Sequence, residues 1–124
     1  MELKTVYFEN PGSENTEAVL RLAKQRAEEL GIKTIVVAST TGDTAVKAMD
    51  ALQGLRVVIV THVTGMRAPD TQEFTEENRK MVVSQGGVIV TAAHAFAGVS
   101  RAMRDKFNTF VIGDIIANTL RIFG

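Results

Sequence analysis

Four short runs of apolar, mostly β-branched residues, at 5–8, 34–38, 57–61 and 88–91, are separated by stretches whose apolar residues recur every three to four positions. No other feature constrains the fold as much. Runs of this kind are the signature of strands buried on both faces, and such strands occur in parallel sheets whose neighbours are joined by crossover helices. The expectation is an α/β domain.

The intervening stretches read as amphipathic helices. The first starts at Asn15 or Thr16 with a polar side chain as its cap, carries Leu20, Ala23, Ala27 and Leu30 on one face, and has Gly31 just beyond its end. The second, 44–52, repeats Ala45, Ala48, Met49 and Leu52 at i, i+3, i+4 and i+7 and closes at Gly54. The third, 75–85, packs Phe74, Met81 and Val82 and ends at Gly86 and Gly87. A basic helix with Arg101, Arg104 and Lys106 follows over 97–106. The closing segment 112–123 puts Ile112, Ile115, Ile116, Leu120 and Phe123 on one side, with a short strand at 109–112 as the alternative.

The chain has 124 residues, the size of a single domain spanning 1–124. Fourteen Lys and Arg balance fourteen Asp and Glu, and neither sign forms a long block, which argues against nucleic acid and against a membrane surface as partner. Local charge must carry recognition. The absence of cysteine excludes disulfides, thiolate nucleophiles and cysteine-ligated metals. With neither a signal-like start nor a long apolar run, the expected location is the cytoplasm.

Right-handed βαβ crossovers build a three-layer α/β/α sandwich, and ligands of such domains gather at the carboxyl ends of the strands. Each loop that carries chemistry lies on that edge: 9–16 after the first run, 39–44 after the second, 62–65 after the third and 94–98 after the fourth. The richest is Ser39, Thr40, Thr41, Gly42, Asp43 and Thr44. Four hydroxyls surround a glycine that lets the backbone approach a ligand, and the next helix offers unpaired N–H groups and its positive dipole end. These are the parts of a phosphate cradle. A plain helix cap would need one of those side chains.

Asn15 and Thr16 sit in the neighbouring loop, where Pro11 and Gly12 equally suit an ordinary turn. His62, with Thr64 and Gly65 close behind it, and His94 are placed to reach the shared edge. Neither histidine has an evident carboxylate partner in its local run, so stacking, hydrogen bonding or loop fixing is expected of them rather than base catalysis. Two histidines do not make a metal site. The connection 62–74 is long for an α/β loop, and such a segment is expected to be mobile when empty and able to act as a lid. The methionines read as filler, and Glu28, Glu29, Glu76 and Glu77 as solvated faces.

The segment 34–61, TIVVASTTGDTAVKAMDALQGLRVVIVT, resembles the strand, turn, helix, strand core of the pyruvate kinase C-terminal domain, in which a Ser/Thr-Gly-x-Ser/Thr turn binds a phosphate of an allosteric sugar bisphosphate. The whole chain, with FENPGSENTEAVLRLA near its start and the 94–101 region, is similar to stand-alone proteins of that fold. The resemblance implies strand order 3-2-1-4(-5) with an antiparallel last strand, and it implies that this chain is a short member or lacks the last strand. An exposed edge would then favour a homo-oligomer.

Residues 39–44 also match the [ST]-x-T-G-x-T loop that holds the phosphate of flavin mononucleotide, FMN, in flavodoxins. Asp43 stands where pyruvate kinases commonly carry an arginine, so a singly phosphorylated ligand suits the loop better than a bisphosphate. The expectation is therefore a small domain binding a phosphorylated cofactor, FMN first. The alternative is a regulatory or assembly module binding a sugar phosphate or a partner subunit. Pyruvate kinase catalysis itself belongs to a separate barrel domain, and whether this chain catalyses another reaction stays open.

Overall fold

A computed structural model describes residues 4–93 and 98–121. The chain divides into two compact units, Met1–Thr91 and Ala92–Gly124.

The first unit is an α/β assembly of α1 (Thr16–Leu30), β1 (Thr34–Ala38), α2 (Asp43–Ala51), β2 (Arg56–Thr61), α3 (Glu76–Ser84) and β3 (Val88–Thr91), preceded by a 3₁₀ turn at Ser13–Asn15. Its three strands are parallel in the order β1-β2-β3. Ile35 pairs with Val57, and Val37, Ile59 and Ile89 stand abreast across the sheet; these residues meet the helices. Beneath them Ala45 and Ala48 are fully buried, and their small side chains let α2 lie close to both the sheet and α1. Leu20 from α1, Phe74 and Val82 complete the core. Leu52, Ile59 and Val82 are the largest side chains wholly removed from water, and each burial stabilises the fold by about 1.5–3 kcal/mol.

The alternate positions form a second apolar surface. Val36, Val58 and Val88 lie abreast, as do Ala38, Val60 and Val90 one step further on. Val36 is 65% exposed, and Val88 and Val90 are exposed too.

The sequence pattern located these elements well and ordered them less well. The expected order placed 5–8 between 34–38 and 88–91, whereas 88–91 pairs with β2 and residues 5–8 form no strand. The physical reason lies in β2: it pairs with β1 on one side, its helix face is buried through Val57, Ile59 and Thr61, and the compact β2–α3–β3 crossover sets β3 directly on its other side. The tetrapeptide at 5–8 is exposed throughout. Met81, expected in the core, is 37% exposed. On a nine-residue helix facing the sheet through Val82, the preceding position points away.

Asn15 does not cap α1 through its side chain; its Nδ2 donates instead to the Asn10 carbonyl at 2.6 Å. Gly31 ends α1 in the left-handed region as expected, at φ 68°. Near that end the Arg26 guanidinium, and then the Gln25 amide, hold the Glu29 carboxyl below its ordinary range. Thr75 caps α3 by accepting from the Asn78 N–H at 3.2 Å.

The second unit holds α4 (Gly98–Phe107) and α5 (Ile112–Arg121). Arg104 of α4 pairs with the buried carboxylate of Asp114 on α5, and that carboxylate also accepts from the Val111 N–H at 3.1 Å. One side chain thus joins two helices and caps the second. No strand forms at 109–112, and Ile112, Ile115, Ile116 and Leu120 stand exposed on α5. Phe123 and His94 lie outside the described residues.

Candidate functional site

The loop 39–44 turns the chain from β1 into α2, and most of its polar groups are engaged within the protein. Ser39 is buried, and its Oγ accepts from the Ala45 N–H at 3.3 Å, so this hydroxyl caps α2. The Thr41 hydroxyl donates to Asp43 Oδ2 at 2.8 Å. Asn78 of α3 then grips the turn: its Nδ2 donates to the Thr41 carbonyl at 3.1 Å and to Asp43 Oδ1 at 3.2 Å. The Thr75 N–H donates to the same carbonyl at 3.1 Å.

Gly42 is buried beneath this bracket at φ 104°, where a Cβ would come within 2.5 Å of Asn78 Cβ. Glycine is thus required twice over, by conformation and by space. The hydroxyls of Thr40 and Thr44 make no hydrogen bond among the described residues.

Thr44 faces a groove of ≈ 360 Å³ between α1 and β1, and there it meets Asn15 and Thr16. Val19, Ala23, Val36 and Ala38 supply the apolar walls. Because β1 runs towards this loop edge, the groove's polar end coincides with the amino ends of α1 and α2, both of which carry partial positive charge. Two loops far apart in sequence therefore share one concavity.

The loop 62–74 is knitted together by its own bonds. The Gly65 N–H donates to the Thr71 carbonyl at 2.9 Å, and the Gln72 amide donates to the His62 carbonyl and to Thr64 Oγ1, both at 3.1 Å. Contrary to expectation, His62 has a carboxylate partner: its Nδ1 lies 2.6 Å from Glu73 Oε2. Arg67 Nε stands 3.1 Å from the other oxygen of the same carboxylate. Behind them the Thr61 and Thr91 hydroxyls share a hydrogen bond of 2.7 Å between the ends of β2 and β3.

Of the residues singled out from the sequence, Asn15, Thr16 and Thr44 come together on the groove. Ser39, Thr41, Gly42 and Asp43 shape the turn, Thr40 lies exposed on it, and His62, Thr64 and Gly65 belong to the separate network of loop 62–74. Asn78, Glu73 and Arg67 were missed. For Asn78 the separation of 37 residues from Thr41 hides the contact, whereas Glu73 lies 11 residues from His62 on one loop, near enough to have been weighed. Among the described residues no group of three or more metal-ligating side chains gathers, and no helix is long and apolar enough to cross a membrane.

An open parallel sheet in which β1 and β2 end in hydroxyl-bearing turns, each feeding a helix, defines a small α/β domain with its working edge at the strand carboxyl ends. The family model described as pyruvate kinase, alpha/beta domain, matches residues 17–121. The chain belongs to that family, a small domain of the kind that serves regulation and assembly.

Proposed function

We propose that this domain acts in the cytoplasm by binding a phosphorylated small molecule, FMN in the first instance, in the groove between α1 and β1. The reading rests on one observation: Asn15, Thr16 and Thr44 line the polar end of a groove whose walls are apolar. A flat ring system suits the walls, and a phosphate suits the hydroxyls and the two helix amino ends. Asp43 does not oppose this strongly, since its two carboxylate oxygens are taken by Thr41 and Asn78. It does disfavour a second phosphate.

The test is a fluorescence titration of the full chain with FMN, with riboflavin as the ligand lacking phosphate. FMN should bind at least about tenfold more tightly than riboflavin, and the double variant Thr16→Val with Thr44→Val should lose about tenfold or more, since each hydrogen bond to a charged group contributes roughly 1.5–3 kcal/mol. Equal affinity for the two flavins, or none for either, overturns the reading.

A second reading, assembly through a homo-oligomer, is favoured by the second apolar surface of the sheet, where Val36, Val88 and Val90 are exposed, and by the outer edge of β3, which pairs with no strand among the described residues. Sedimentation at several concentrations decides it: a sedimentation coefficient that rises with concentration supports assembly, and a monomer throughout rejects it.

A further inference from the structure

His62, Glu73 and Arg67 form a cluster that the groove does not use. Glu73 is its hub, with a side chain only 15% exposed, and each of its carboxylate oxygens takes one partner. A carboxylate has no proton to give, so His62 donates from Nδ1, and in the neutral ring Nε2 is then bare as an acceptor. The His62 side chain is 35% exposed. Arg67 is 82% exposed and meets Glu73 through Nε, which leaves its two amino groups without a bonded partner among the described residues. The pair is held by a loop braced by Gln72 and by the Gly65–Thr71 bond, at the carboxyl end of the central strand. A base and a cation are thus presented side by side, both oriented by one carboxylate.

We propose that His62 and Arg67 form a second site, for a small molecule bearing an oxyanion and a hydroxyl. The Arg67 amino groups take the oxyanion, a phosphate monoester or a carboxylate. His62 Nε2 accepts a hydrogen bond from the hydroxyl while Nδ1 stays paired with Glu73. Glu73 is a positioning residue.

The test uses the full chain labelled with ¹⁵N, with the two histidines assigned through a His94→Gln variant. Two-bond ¹H–¹⁵N spectra should show His62 with Nδ1 protonated and Nε2 bare. Adding inorganic phosphate or acetate should shift the His62 ring signals, and the stronger of the two names the oxyanion class. Arg67→Ala should abolish that shift while leaving the tautomer unchanged, and Glu73→Gln should yield a mixture of tautomers. A proton on Nε2 in the free protein, or no response of His62 to either anion, overturns the proposal. Neither result touches the groove, whose occupancy is read by FMN fluorescence.

Discussion

Replacing Gly42 by alanine tests the bracket that holds the loop 39–44 against α3. The substitution imposes two separate costs. At φ 104° any residue with a Cβ is strained, by about 1–3 kcal/mol. The new Cβ also lies 2.5 Å from Asn78 Cβ and 2.8 Å from Nδ2, and a Cβ atom cannot swing aside as the end of a long side chain can. Asn78 must shift, and its bonds to the Thr41 carbonyl and the Asp43 carboxylate are lost, about 1–3 kcal/mol together once discounted for their exposure. The sum is about 2–6 kcal/mol. Asn78→Ala alone removes the same two bonds without the strain, so about 1–3 kcal/mol. In the double variant those bonds are lost only once, which makes the two effects non-additive by roughly the value of the bonds. Urea unfolding of all four proteins, followed by circular dichroism, measures the cycle. Strict additivity, or a Gly42→Ala protein as stable as the parent, would refute the bracket.

In the second unit, Arg104→Ala leaves Asp114 buried without its cation, and the α4–α5 pair should lose about 1–3 kcal/mol, read as faster amide exchange across Ile112–Arg121. Arg104→Lys should restore part of the protection, because a charge remains although the planar donor set is gone.

The helical register of this protein was legible because its signals are local: Ala45, Ala48, Met49 and Leu52 recur at one face of α2, and every one of them is buried. The strand positions were legible for a similar reason, apart from 5–8, where a short β-branched and aromatic run suffices to suggest a strand but cannot supply its partner. Neighbour order is a non-local property. It depends on which strand finds a partner on each side, and the burial of Val57, Ile59 and Thr61 on the helix face of β2 comes with that central place only once the sheet exists. The site divides in the same way. Thr44 and Thr16 were visible as hydroxyls near strand ends, yet the hydroxyls of Ser39 and Thr41 look identical in sequence, and only the folded turn shows that these two are already occupied.

The Thr41 carbonyl has a mechanical consequence. It receives both the Asn78 side chain and the Thr75 backbone N–H, so the turn after β1 is fastened directly to the start of α3. At its far end α3 is wedged as well, for Gly87 passes so near that a Cβ would sit 2.6 Å from Val82 and 2.8 Å from Met49. Through Thr75 the Thr41 turn is thereby tied to the stretch that carries Glu73 two residues earlier, and so to the carboxylate shared by His62 and Arg67.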